Sequence, residues 1–416
     1  MIRKINHFLH SFSKSLRYLF CTDRKQKSLR ICSVYYQTFS ALLYREAKAL
    51  MKEGMAVDII CYYTSKEGKN LRSFEGINIY PIQARSSREK SSLLYLLRLF
   101  LFFLKSFVYL SVNGVFRKYA LIHITTPPDF LVFAAIIPKL LGAKVIMDIH
   151  DIGPEFYMRS LGVSKNHPIV RFIIFVEKLS TRLADHVITV TDLWRDKLID
   201  RSISPYKCTT LLNVPDDELF QFLPEGRKKA SNGYFCLYYH GSLEELFGID
   251  TLIESMPTVA ENIPNVKLHI YGGGRLLFDC KALVKKLEIN HFVVFHKNVP
   301  FYELPGILVN ADIGIVPTKS SVFAEEILAM KSLEYISLGI PIVVSRTKGH
   351  SYYYDSSMVR FFEPGDKACL AEAVIDLYKN EAKRNALQIN SRFFIEKYGW
   401  QNTKKTYVKI VRNLLG

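Results

Sequence analysis

The stretch that decides the fold is 311-ADIGIVPTKSSVFAEEILAMKSLEYISLGIPIVVSR-346. Its first apolar run, Ile313 to Val316, ends at Pro317 and opens into a polar loop that holds Glu325 and Glu326. The spacing of Leu328, Leu333, Ile336 and Leu338 then predicts a helix with one apolar face, stopped by Gly339. A second apolar run, Ile340 to Ser345, reads as another strand. Strand, loop, helix and strand make a βαβ unit. Its loop and helix N-terminus lie at the carboxyl edge of a parallel sheet, where open α/β sheets bind ligands.

Two carboxylates of this unit, Glu326 and Glu334, stand eight residues apart, with Lys331 between them. A helix N-terminus offers unpaired N–H groups to a phosphate. A carboxylate one or two turns further on can accept two hydrogen bonds from a ribose diol, and Lys331 can supply a point charge to a diphosphate. The same residues also suit a solvated helix face with ordinary charges, and spacing alone leaves both readings open.

The run Lys331-Ser332-Leu333-Glu334-Tyr335, followed by Gly339-Ile340-Pro341-Ile342-Val343, resembles a signature of the retaining glycosyltransferases of family 4. Glu326 and Glu334 match that family's E-x7-E spacing. The resemblance implies a GT-B fold, two Rossmann-like doubly wound α/β domains facing a deep cleft, with the last helix crossing back. It also implies that Glu334 holds the nucleotide ribose and Glu326 lies by the donor sugar. Many members carry Gly-Phe-Gly after the first Glu, whereas Ile327-Leu328-Ala329 stands here.

The chain of 416 residues suits two domains of ordinary size. Apolar residues at 49% and charged residues at 23% indicate a globular protein rather than a disordered one. The net charge of +17 points to an anionic partner: nucleic acid, a membrane surface or a phosphorylated substrate. Zinc-finger spacing and RNA-binding signatures are missing, so nucleic acid is the weakest of the three and is not expected as a partner. Seven cysteines, with no C-x-x-C pair, read as buried thiols of a cytosolic protein.

Residues 1–28 form a basic extension in which Ile5, Phe8, Leu9, Phe12, Leu16 and Leu19 recur at helical spacing. This is either an interfacial helix on anionic lipid or an extension packed on the first domain. Domain one is expected at 29–215, opening with a strand from Leu29 to Tyr35, a helix from Tyr44 to Lys52 and a strand from Ala56 to Tyr62. The run from Leu93 to Val112 is apolar nearly all round, interrupted by Arg98 and Lys105. The two cations disfavour a spanning helix and favour an interfacial or core-facing one. Strands follow at Tyr119 to Ile124, Ala143 to Ile149 and Leu183 to Val190, with Thr125-Thr126-Pro127-Pro128 read as capping a helix. His150 comes directly after one of these strands. A histidine there is a structural hydrogen-bonder or a catalyst, and the resemblance assigns it to the donor sugar.

Residues 216–233 read as a linker, 234–390 as the nucleotide-sugar domain and 391–416 as the cross-over helix. Phe235 to His240 is a strand delivering Gly241 and Ser242, a turn where backbone amides can approach a phosphate. Family members place an Arg after the first glycine of this turn and a Lys before the second; Ser242 and Phe247 occupy those positions. The strand from Val266 to Tyr271 ends in Gly272-Gly273-Gly274-Arg275, which resembles the family's turn beside the nucleotide. Gly273 and Arg275 are therefore donor-site candidates, and Lys331 and Arg346 are candidates for the diphosphate charge.

The resulting expectation is a metal-independent, retaining glycosyltransferase with no cofactor beyond its co-substrate. It would take a UDP- or GDP-sugar donor and a saccharide or lipid-linked acceptor of polysaccharide biosynthesis, peripherally attached to an anionic membrane surface from the cytoplasmic side. His150 and Glu326 would act on the sugar, and Gly241, Ser242, Gly273, Arg275, Lys331 and Glu334 would hold the donor. A sugar-nucleotide epimerase of the same architecture, a non-catalytic nucleotide-sugar-binding protein and a basic membrane scaffold are the alternatives.

Overall fold

The computed structural model describes residues 30–38, 41–63, 69–84, 92–222 and 233–416, and they form two compact units. The basic extension at 1–28 and most of the expected linker lie outside the described residues.

The first unit is built on an eight-stranded sheet of order β3-β4-β2-β1-β5-β6-β7-β8. Its strands are β1 Arg30–Thr38, β2 Ala56–Tyr63, β3 Ser73–Phe74, β4 Ile77–Ala84, β5 Leu121–Thr126, β6 Lys144–Ile149, β7 His186–Thr189 and β8 Cys208–Thr210. Every pairing is parallel except β3 with β4. The central strands are buried on both faces, as β5 is along its whole length, so they read as continuous apolar runs. One face is covered by Leu43, Ala47 and Leu50 of α1 (Ala41–Lys52) and by Tyr407, Ile410 and Val411 of the chain's last helix. A 3-10 segment, Asp129–Ala135, packs with both α2 (Ser92–Arg117) and α3 (Pro168–Leu183).

The second unit carries a six-stranded, wholly parallel sheet of order β11-β10-β9-β12-β13-β14. Its strands are β9 Phe235–His240, β10 Val266–Tyr271, β11 Val293–His296, β12 Ile313–Val316, β13 Ile342–Ser345 and β14 Arg360–Phe362. Successive strands run outward from β9 on one side and from β12 on the other. The strand order therefore reverses between β9 and β12, and a crevice at their carboxyl ends is the ligand position of such sheets. Helix α4 (Met330–Ser337) links β12 to β13. The final helix, α5 (Trp400–Leu415), places residues Thr406–Gly416 in the first unit.

Several details differ from the sequence expectation. Helix α4 begins at Met330, with Leu328 before it and Leu338 as its C-cap, because both residues are buried without being helical. Leu183 ends α3, and the strand expected from it starts only at His186. The strand expected at Ile340 starts at Ile342. Thr125 and Thr126 belong to β5, and Pro128 precedes the 3-10 segment without a side-chain cap.

Candidate functional site

The switch point of the second sheet is where α4 delivers its polar side chains. Tyr335 fixes the helix there. It is fully buried, its hydroxyl donates to the Tyr238 carbonyl at 2.8 Å, and its ring covers Gly314 of β12. A Cβ at Gly314 would come within 2.5 Å of that ring, so the absence of a side chain on β12 lets the helix sit this close.

With Tyr335 anchored, its neighbour Glu334 meets the last residue of β9. His240 Nε2 donates to Glu334 Oε2 across 2.6 Å, and the His240 ring stands edge-on to Tyr335 at 4.8 Å. Lys331, one turn earlier on α4, is buried, with Nζ 4.0 Å from the centre of the Tyr239 ring and 4.7 Å from that of Phe247. Among the described residues Nζ has no hydrogen-bond partner. Burial pushes its pKa down to about 7, against the pull of the Glu334 charge. A Cβ built on Gly241 would lie 3.6 Å from the Lys331 ammonium, so Lys331 and the glycine turn are neighbours. The ammonium stands over Phe247, a position where the family pattern has a lysine of its own.

The turn after β9 is tightly built. Gly241 has φ +114°, and a Cβ at Gly272 would fall 2.0 Å from the Gly241 carbonyl oxygen. Gly273 accepts from the Leu243 amide at 3.0 Å, which ties the β10 turn to the β9 turn. Ser242 is exposed, and its carbonyl accepts from the Tyr239 hydroxyl at 2.8 Å. Arg275 is engaged by Glu244, whose carboxylate lies 3.5 Å from Nε and also accepts from the Arg275 amide at 3.0 Å. Arg346 faces Glu363 at 3.4 Å and stacks over Phe361. Lys331 is thus the buried cation here, while both arginines are exposed and paired.

Glu326 belongs to a different cluster. It is buried in the 3-10 turn Ala324–Glu326, four residues before α4, and its Oε1 accepts from Lys348 Nζ at 2.8 Å. Gly349 packs directly against the Glu326–Ile327 backbone, where a Cβ would lie 2.5 Å from the Ile327 oxygen.

In the first unit, His150 follows β6, and its Nε2 donates to Asp148 Oδ2 at 2.8 Å. The same oxygen lies 3.3 Å from His123 Nε2, and His123 Nδ1 lies 2.9 Å from the Tyr407 hydroxyl. Burial disfavours charge on His150, but the Asp148 carboxylate and the hydrogen bond to it outweigh that and raise the His150 pKa. Asp148 is held low despite its burial by the two imidazoles. Glu46, His123 and Asp148 bring donor atoms within 4.8 Å of one another, a spacing also found at metal sites. Both His123 nitrogens are already committed to Asp148 and Tyr407, which makes the cluster a hydrogen-bond network.

Sequence reading missed His240, Asp148, His123 and Tyr407. Two of them carried a signal: Asp148 on β6 is two residues before His150, the spacing that puts side chains of an extended chain on one face, and His240 immediately precedes the glycine turn.

Two family models match the chain, one described as "Glycosyl transferase 4-like domain" over residues 41–213 and one as "Glycosyl transferases group 1" over residues 224–393. The chain carries both domains that these models describe, and its fold is GT-B. Among solved structures, sucrose-phosphate synthase from Thermosynechococcus elongatus superposes with a TM-score of 0.72 at 17% identity, over 93% of this chain and 99% of that one. HepE of Anabaena, solved with UDP and glucose, gives 0.71 at 14% identity, over 92% and 100%. These likenesses show the fold. By sequence it is 27% identical over 158 residues to the GDP-mannose-dependent alpha-(1-6)-phosphatidylinositol monomannoside mannosyltransferase of Mycolicibacterium smegmatis, 37% of this chain and 41% of that protein. The chain spans about half the length of the curated relatives it matches.

Proposed function

We propose that this protein is a glycosyltransferase that moves a sugar from a nucleotide diphosphate sugar to a hydroxyl of a saccharide or lipid-linked acceptor, with retention of configuration and without a metal ion. The observation that carries the reading is the placement of a buried lysine, Lys331, and the Glu334 carboxylate one turn apart on α4, with Lys331 beside the Gly241 turn at the switch point of the second sheet. Glu334 accepts from the ribose hydroxyls. Lys331 and the backbone amides of the Gly241 turn receive the diphosphate. In the transfer, the bond from the anomeric carbon to the diphosphate oxygen breaks, and a bond to the acceptor oxygen forms on the same face. The acceptor proton leaves with the diphosphate. Negative charge grows on the leaving group, so preorganised donors and a cation lower the barrier. His150 and Glu326 are assigned to the sugar, His150 held by the Asp148 carboxylate and Glu326 by the Lys348 ammonium. The acceptor class is supported by relatives whose names describe phosphatidylinositol-linked acceptors.

The test is a hydrolysis screen of UDP-, GDP- and ADP-sugars, read together with calorimetric titration of UDP and GDP. Slow release of sugar from one donor is expected, with tight binding of the matching nucleotide. Conversion of the donor to an epimer without acceptor would instead make the protein an epimerase. Tight nucleotide binding without turnover on any acceptor would make it a binding protein.

A further inference from the structure

The geometry points to a docking face for anionic lipid on the first unit, formed by α2 and α3. It goes beyond the donor chemistry and does not depend on it. Both helices pack with the 3-10 segment Asp129–Ala135, and the Phe103 ring of α2 stands edge-on to Phe130 at 5.8 Å, so that segment joins them.

Helix α3 buries Val170, Glu177, Ser180 and Thr181. Its opposite side is a stripe of exposed Arg171, Phe172, Phe175, Lys178, Leu179 and Arg182. Phe172 is 65% exposed and Phe175 55% exposed. No acid interrupts the stripe, since Glu177 points inward to Arg201 at 2.5 Å. Alternation of large apolar side chains with cations, turn by turn, is the composition of a helix that lies in a lipid interface.

Helix α2 continues the same chemistry. Its 26 residues include no acid, and Leu97, Phe100 and Leu104 expose 51%, 50% and 39% of their surface at one-turn spacing. The helix is long and apolar enough to cross a membrane, yet it is tied to the sheet instead. Gln83 donates to the Arg98 carbonyl at 3.0 Å, and Tyr62 stacks on Phe102 at 4.4 Å. It therefore presents a face to lipid while staying in the fold. Apolar rows on this scale mark an interaction surface. A second copy of the chain is a poor occupant, because a two-fold contact would set the patch of Arg171, Lys178 and Arg182 against the same cationic patch. An anionic headgroup layer over acyl chains satisfies both the cations and the rings, as does the net charge of +17.

The experiment uses the full chain and vesicles of phosphatidylcholine alone or mixed with phosphatidylglycerol, with the bound fraction read by flotation. Binding to the mixed vesicles is expected. The triple variant Arg171→Glu, Lys178→Glu, Arg182→Glu is expected to weaken it on the order of 100-fold, from about fivefold per cation lost. Phe172→Ser with Phe175→Ser is expected to weaken it by at least about tenfold, with unchanged circular dichroism and unchanged UDP or GDP affinity. No binding by the parent chain, equal binding to both vesicle types, or loss only on removing residues 1–28 with both variants unaffected overturns the proposal. So does a dimer that the phenylalanine variant converts to monomer with vesicle binding intact.

Discussion

The ammonium of Lys331 lies 4.0 Å from the centre of the Tyr239 ring, in a buried site that gives it aromatic faces and no hydrogen-bond acceptor among the described residues. Such a site favours the neutral amine, and burial brings the pKa down to about 7. A diphosphate placed beside it restores the charged form and raises that pKa. Above pH 7, binding must therefore take up a proton, and affinity falls as pH rises until the pKa of the complex is reached. Titration of the preferred nucleotide diphosphate at pH 8, in buffers of different ionisation enthalpy, should report uptake of about one proton, declining toward zero at pH 6. Lys331→Arg keeps the charge at every pH and should abolish the uptake. A binding enthalpy at pH 8 that is independent of buffer would remove Lys331 from the diphosphate site.

Glu334 tests the ribose contact. In Glu334→Gln the side-chain shape persists but a charged acceptor is lost, and hydrogen bonds to charged groups contribute about 1.5–3 kcal/mol. The dissociation constant for UDP or GDP should rise by roughly 10- to 150-fold. An unchanged constant would show that the carboxylate serves only His240.

Much of this was legible in the sequence, and what was missed has a physical cause. Strands β9, β10 and β12 begin and end where their apolar runs do, because Gly or Pro closes each one. Helix α4 is shorter than its apolar spacing suggests: Leu328 is buried outside the helix, so the pattern reports burial rather than helicity. The Lys-x-x-Glu-Tyr run located Glu334 and Lys331, but not what surrounds them. Tyr239 and Phe247 reach Lys331 from another strand and turn, and no local pattern encodes that convergence. The link from His123 to Tyr407 joins residues 284 apart in sequence and has no sequence signature at all.

The histidine network of the first unit predicts a shift in pH dependence. Asp148 raises the His150 pKa through its charge and hydrogen bond, against the opposing effect of burial. Asp148→Asn removes that charge, so the limb of the pH–rate profile that belongs to His150 should move to lower pH. A profile that only scales down without moving would mean that Asp148 acts on structure alone. Tyr407→Phe leaves a buried His123 nitrogen without its partner and should cost about 1–3 kcal/mol in urea unfolding.

Gly314→Ala separates support of the site from its chemistry. The added methyl would meet the Tyr335 ring at 2.5 Å, where neither the buried ring nor the β12 backbone can yield cheaply. Overpacking of this kind costs about 1–3 kcal/mol. The ring can relieve it only by lifting, which breaks the 2.8 Å bond from its hydroxyl to the Tyr238 carbonyl and carries Glu334 away from His240. The variant should therefore lose nucleotide affinity along with stability, although residue 314 is asked to touch no ligand. Tyr335→Phe, which removes the same bond without the clash, should show a smaller loss of both. If Gly314→Ala lowered the unfolding midpoint while nucleotide affinity held at the parent value, the anchoring of Glu334 through Tyr335 would be disproved.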